Sequence, residues 1–182
     1  YVAHYREMSI SNLSREVGGG EHSLVIFYMS SYGNTARMAE AISGGAETHS
    51  GVRVSIYDLE GGAVEPFVDL IEDADAVLFG SPTINGDAVK PVWDLLSSLA
   101  VVNLKGKLGG AFGSYGWTGE AVKMIEDRLR GLKMKIPKGG VRVKLIPTEE
   151  ELEMCREFGR QFAAVLVGAS PEGEAVDLAD LG

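Results

Sequence analysis

Three short stretches of this 182-residue chain hold residue types that can do chemistry together. The first is Ser30-Ser31-Tyr32-Gly33-Asn34-Thr35, where hydroxyls and a glycine separate an apolar run from a segment of helical spacing. Backbone N–H groups at a helix start, backed by the helix dipole, attract an anion, and hydroxyls add donors without fixed charge. An ordinary turn with a capping Asn or Thr fits the same residues. The stretch is not a P-loop, because no Gly-Lys-Ser/Thr follows, and the Gly-x-Gly-x-x-Gly dinucleotide fingerprint is missing. The second stretch, Gly80-Ser81-Pro82-Thr83-Ile84-Asn85-Gly86, is stiffened by Pro82, and its Asn85-Gly86 pair permits positive φ. Ile84 there either tucks into a core or offers an apolar face to a flat ligand. The third, Gly113-Ser114-Tyr115-Gly116-Trp117-Thr118-Gly119-Glu120, sets two aromatics among glycines, which packing explains poorly. Flat aromatic faces stack with about 0.5–1.5 kcal/mol beyond area burial. Together the loops specify a ligand with a phosphate, a polar linker and a flat heteroaromatic ring, and they offer it no side-chain cation.

The elements that must position these loops are legible in the apolar pattern. Leu24-Val25-Ile26-Phe27-Tyr28 and Ala76-Val77-Leu78-Phe79 are continuous apolar runs, as suits strands buried on both faces. Val52 to Tyr57 alternates like a half-exposed strand, Leu108 to Phe112 is a strand of small residues, and Val141, Val143 and Leu145 alternate again. Helical stripes lie between them. Met38, Ala39 and Ile42 form one, which Gly44-Gly45 is expected to stop. Val68, Leu70 and Ile71 form a second, and Val92, Leu95, Leu96 and Leu99 a third that Pro91 opens. Val122, Ile125 and Leu129 mark a fourth. The fifth runs from a Thr148 cap with Glu151 three positions on, through Leu152, Cys155, Phe158, Phe162 and Val165. Five strands alternating with five helices predict an α/β fold, a doubly wound parallel sheet with right-handed crossovers. Ligands of such sheets sit beyond the carboxyl ends of the strands, where all three loops fall.

Composition narrows the partners. The chain carries 17 Lys+Arg against 26 Asp+Glu, a net charge of -9. That disfavours sequence-independent binding to nucleic acid or to an anionic membrane. No apolar run reaches the roughly 18–20 residues of a membrane span. One cysteine excludes an intrachain disulfide, and a cytoplasmic location is expected. Residues 168–182 hold Glu172, Glu174, Asp177 and Asp180 with no Lys or Arg, and are expected to form an acidic flexible tail. Residues 1–20 begin with Tyr1 and close on Gly18-Gly19-Gly20, as expected of a linker left from an upstream domain. Residues 21–167 are then the folded domain. His4, His22 and His49 are scattered, so no metal-ligand set and no catalytic side chain is assigned. FMN fits the three loops better than a pyridine dinucleotide does.

On these residues the chain resembles the flavodoxins, and more closely the flavodoxin-like domain of the A-type flavoproteins, or flavodiiron proteins. Ser30 to Thr35, Gly80 to Asn85 and Ala111 to Val122 carry the resemblance, which spans about residues 23–166. It implies a five-stranded sheet of order 2-1-3-4-5 and one noncovalent FMN. It further implies that Ser30, Ser31, Tyr32, Gly33, Asn34 and Thr35 cradle the phosphate. Pro82, Thr83, Ile84 and Asn85 would line one side of the ring, and Ser114, Tyr115, Gly116 and Trp117 the other. Tyr32 departs from the threonine usual in flavodoxins, which leaves its backbone N–H as the contribution at that position. In the resembling family a metallo-β-lactamase-like domain carries a di-iron site that reduces oxygen or nitric oxide. Its His-x-Glu-x-Asp-His run is absent here. The resemblance therefore implies an FMN electron-transfer domain relaying electrons to a di-iron site outside this chain. The donor would be rubredoxin, a flavin reductase or the deazaflavin F420; the resembling proteins are head-to-tail homodimers, and for an isolated flavin half both homodimer and monomer stay open. The alternative is a free-standing flavodoxin or an NAD(P)H:quinone oxidoreductase of flavodoxin fold. A phosphoacceptor domain is disfavoured, since the first strand exits at Met29-Ser30 with no acidic pair.

Overall fold

A computed structural model describes residues 21–168. The expected linker 1–20 and the acidic tail beyond residue 168 lie outside the described residues. Along the chain run β1 (His22–Tyr28), α1 (Asn34–Ala46), β2 (Val52–Asp58), α2 (Glu65–Asp73) and β3 (Ala76–Gly80). They are followed by β4 (Thr83–Ile84), β5 (Asp87–Ala88), α3 (Lys90–Ser98) and β6 (Leu108–Tyr115). α4 (Glu120–Gly131), β7 (Val141–Lys144) and α5 (Glu149–Leu166) complete it. The five principal strands pair in parallel in the order β2-β1-β3-β6-β7. This is the flavodoxin-like 2-1-3-4-5 order.

Alternation along the central strands divides the core in two. Val25, Phe27, Val77, Phe79 and Ala111 face α2, α3 and α4 through Ile71, Leu95 and Ile125. Leu24, Ile26, Ala76, Leu78 and Phe112 face α1 and α5 through Ile42, Phe158 and Phe162. Burial on both faces is why β1 and β3 read as unbroken apolar runs.

Four local expectations need correction. Gly44-Gly45 does not stop α1, which continues to Ala46. A Cβ on Gly45 would lie 1.9 Å from the Arg156 carbonyl oxygen, and one on Gly159 would lie 2.1 Å from the Ile42 carbonyl oxygen. These glycines let α1 and α5 pack backbone to backbone. Leu145 is not an inward strand residue, because β7 ends at Lys144 and Leu145 is exposed. Val165 is likewise exposed and leaves the buried stripe of α5. Finally, the second loop is not all loop. Thr83 pairs with Ala88 and Ile84 with Asp87, so Asn85-Gly86 is the turn of a two-residue hairpin. Both turn residues have positive φ, 53° and 72°, as a type I′ turn demands.

Helix ends are secured by named side chains. Thr148 and Glu151 form the capping box of α5, with Glu151 N–H donating to Thr148 Oγ1 and Thr148 N–H to Glu151 Oε2. Lys107 Nζ donates to the carbonyls of Ile71 (3.0 Å), Glu72 (2.7 Å) and Ala74, the terminal carbonyls of α2. Trp93 packs half-buried against the core. Lys133 and Lys135 are exposed, while Lys138 Nζ donates to Gln161 Oε1.

Gly159→Ala is expected to destabilise the chain by about 1–3 kcal/mol, because backbone cannot yield as a flexible side chain does. Urea unfolding measures this. Cys155 is buried, and burial pushes its thiol from 9.0 up to about 12. The folded chain therefore holds a proton that the unfolded chain releases above pH 9, so stability falls as pH rises from 9 towards 12. Urea midpoints between pH 9 and 10.5 should fall less steeply in Cys155→Ala.

Candidate functional site

Parallel strands bring their carboxyl ends to one edge, and the three loops meet there. The first loop leaves β1 and enters α1 through Gly33, whose φ of 83° is left-handed. Gly33, rather than Asn34, is the N-cap. It has no side chain to cap with, and the first turn carries no acidic residue. Ser30 Oγ accepts the Ala36 N–H at 3.2 Å and ties the loop to the helix. The N-terminus of α1 is thus open to an anion. Ser31, Tyr32 and Gly33 are exposed, Asn34 half-buried and Thr35 buried.

The second loop is braced from beneath. Ser81 is fully buried; its Oγ donates to the Pro82 carbonyl and accepts the Val89 N–H at 3.0 Å. Pro82 is also buried. β4 then continues the line of β3 along β6, since Gly80 pairs with Phe112 and Thr83 with Tyr115. Thr83 Oγ1 accepts the Ala121 N–H at 3.2 Å, and Trp93 Nε1 donates to Asp87 Oδ1 at 2.8 Å. Held this way, the hairpin turns Ile84 outward at 44% exposure, beside exposed Asn85. Of its two sequence readings, the one that tucks Ile84 into the core does not hold.

The third loop joins the first directly. Thr35 Oγ1 and Ser114 Oγ lie 2.9 Å apart in a buried hydroxyl pair. One hydroxyl donates to the other, which ties the first loop to the third. Tyr115 is half-buried with its ring against Gly119. Gly116 is exposed, and Trp117 is 92% exposed. Tyr32, at 91%, is the other fully presented aromatic among the described residues. No Lys or Arg occurs in residues 30–35, 80–86 or 113–119, so the donors these loops offer are uncharged: backbone N–H groups, hydroxyls, the Asn34 and Asn85 amides and the Trp117 indole N–H. A separate hollow of about 270 Å³ lies between the exit of β2 and the start of α3, bordered by Leu59, Val64 and Pro91. It contains no residue of the three loops.

The flavodoxin family profile matches residues 26–159. The chain belongs to the flavodoxin family. It is 52% identical over 181 residues to the type A flavoprotein fprA of Rhodobacter capsulatus, covering all of this chain and 41% of that protein. The chain thus spans about two-fifths of that curated relative. The Flv1 flavodiiron core of Synechocystis superposes with a TM-score of 0.77 at 34% identity, over 91% of this chain and 41% of that one. A flavodoxin from an archaeon superposes at 0.69 with 32% identity, over 79% of this chain and 98% of that one. This flavodoxin-family chain corresponds to the flavodoxin-like part of the A-type, or flavodiiron, flavoproteins, and FMN is the cofactor that membership implies.

The residues present fit that cofactor. A helix terminus whose N-cap, Gly33, has no side chain over the first turn, with hydroxyls nearby, suits a phosphate, and exposed apolar faces at Ile84 and Trp117 suit a ring. Sequence reasoning placed Leu145 on a strand and gave Ile146 no role; both are exposed at the exit of β7, and Leu145 lies beside Gly116 of the third loop. The signal was Ile146, an apolar residue next to Leu145 and before Pro147 that breaks the alternation of Val141, Val143 and Leu145. Among the described residues, no group of three or more His, Cys, Asp or Glu is placed to hold a metal.

Thr35→Val or Ser114→Ala alone leaves a buried hydroxyl unpaired and is expected to cost about 1–3 kcal/mol. The double variant should cost less than the sum, by about 1 kcal/mol, in a urea-unfolding double-mutant cycle.

Proposed function

We propose that this flavodoxin domain binds FMN at the carboxyl edge of its sheet and acts as the flavin relay of a flavodiiron-type oxygen or nitric oxide reductase. The observation that carries the site is the open N-terminus of α1 joined by the Thr35–Ser114 pair to an exposed Trp117. In this reading Ser30 to Thr35 hold the phosphate through backbone N–H groups and hydroxyls. Ile84 and Asn85 on the hairpin border one side of the ring, while Tyr115, Gly116 and Trp117 border the other. FMN, when bound, supplies one- and two-electron chemistry at a flat ring; the protein supplies placement and electrostatics. A net charge of -9, with no cation in the three loops, disfavours added negative charge on the ligand.

The relay reading rests on the likeness to A-type flavoproteins across this chain. The acceptor is a di-iron site on a metallo-β-lactamase-like domain, in the same polypeptide or in a second subunit. Rubredoxin, a flavin reductase or F420 is the donor in this reading. A second reading is a free-standing flavodoxin, favoured by the match to nearly all of an archaeal flavodoxin.

Titration with FMN should give flavin absorbance bands with quenched fluorescence, and riboflavin should bind more weakly because the phosphate loop is unused. No binding of either would sink the site. Trp117→Ala should weaken FMN affinity about 2- to 10-fold, the worth of a stacking contact. An unchanged Kd would show that Trp117 does not stack. For the relay, the dithionite-reduced, FMN-loaded chain should be reoxidised faster on adding a flavodiiron di-iron domain with nitric oxide or oxygen than with the metal-free domain. Sustained NADPH oxidation with a quinone by the chain alone would instead favour a quinone reductase.

A further inference from the structure

Three non-glycine residues among those described have positive φ: Asn85 (53°), Lys133 (67°) and Leu145 (61°). Two have ordinary reasons. Asn85 sits in a type I′ turn, which needs φ above zero and favours Asn. Lys133 follows α4, where Met134 N–H reaches back to the Leu129 carbonyl and Lys133 N–H to Arg130, the left-handed close of a helix. Leu145 has neither reason. It ends no helix and occupies no hairpin turn, and a leucine is poorly suited to the left-handed region. Its side chain is 58% exposed, so core packing does not offset the strain.

The backbone of Leu145 is nevertheless engaged. Its N–H donates to the Tyr115 carbonyl at 2.7 Å, one residue past the end of the β6–β7 ladder. Its Cδ2 lies 3.7 Å from where a Cβ on Gly116 would stand, so the side chain lies against Gly116. Tyr115 also pairs with Thr83 on the other edge of β6. The Tyr115-Gly116 step is thus held from both edges immediately before Trp117 leaves the sheet. A strained, exposed residue persists when surrounding structure imposes it, and such residues gather at functional sites.

We propose that Leu145 is a positioning residue of the ring site: its left-handed backbone aims an N–H at the Tyr115 carbonyl and lays its side chain against Gly116, fixing the turn that presents Trp117. The proposal rests on the reading of residues 115–117 as a ring wall. It assigns a site role to the β7 exit, which the three sequence loops do not include. A leucine here trades stability for that geometry.

The test separates stability from placement. Leu145→Asn tolerates the left-handed region but loses the apolar contact, and Leu145→Gly removes both strain and side chain. Both should keep or raise the thermal midpoint while raising the FMN Kd roughly fivefold, the scale of a lost apolar side-chain contact. In the FMN-free chain, amide hydrogen exchange at Gly116 to Thr118 should quicken in both variants. Unchanged FMN affinity with unchanged exchange at 116–118 would overturn the proposal, as would a fall in midpoint with unchanged affinity, the mark of a merely structural residue. Should the parent chain bind no FMN, the ring-wall reading fails, and the exchange measurement alone still decides whether Leu145 holds the turn.

Discussion

The carboxyl edge of this protein depends on one close approach of backbone to backbone. A Cβ at Gly113 would lie 2.2 Å from the Ser81 carbonyl oxygen. No side chain can stand there without moving the chain. Because Gly113 has none, the exit of β3 presses against β6, and Ser81 N–H reaches the Phe112 carbonyl. Ser81 is then deep enough for its hydroxyl to brace both Pro82 and Val89. The β4–β5 hairpin hangs from that brace, and Ile84 hangs from the hairpin. One missing methyl group thus sets where an apolar face meets solvent.

A second approach sets the other half of the site. Gly45 and Gly159 allow α1 to lie against α5 with carbonyls where side chains would normally be. That contact fixes the axis of α1, and with it the direction in which its open N-terminus points. The Thr35–Ser114 hydroxyl pair then joins this end to the aromatic loop. Both halves are placed by small residues rather than large ones. Small residues permit a single tight geometry, whereas large side chains can repack around an error.

Electrostatics does less holding and more selecting. The ion pairs of Arg156 and Arg160 with acidic residues lie along the exposed face of α5, where each contributes little. The site itself has no cation in its three loops and one open helix terminus. In the proposed reading an anion bound there would be recognised by oriented N–H groups rather than by a mobile charged side chain. The arrangement suits a phosphate on a neutral ring better than a multiply charged dinucleotide.

Much of this was legible in the residues. Strand identity followed from apolar runs, and the α5 cap from Thr148 and Glu151, because these are local effects of burial and hydrogen bonding. The positions of the three loops followed from the alternation of elements. Gly44-Gly45 misled, since a glycine reads alike whether it ends a helix or admits a neighbouring one, and only the neighbour decides. Asn85-Gly86 announced a turn, but the two-residue strands beside it were too short for a pattern. Leu145 continued an alternation that the chain abandons one residue earlier. By itself, then, the sequence determined the principal strands and helices, their parallel sense and the chemistry in the loops, because those depend on spacing along the chain; the strand order was implied only by the family resemblance. The tertiary structure alone decided which glycines are contacts, which hydroxyls pair and which apolar side chains stay outside. Those outcomes depend on what arrives from dozens of residues away.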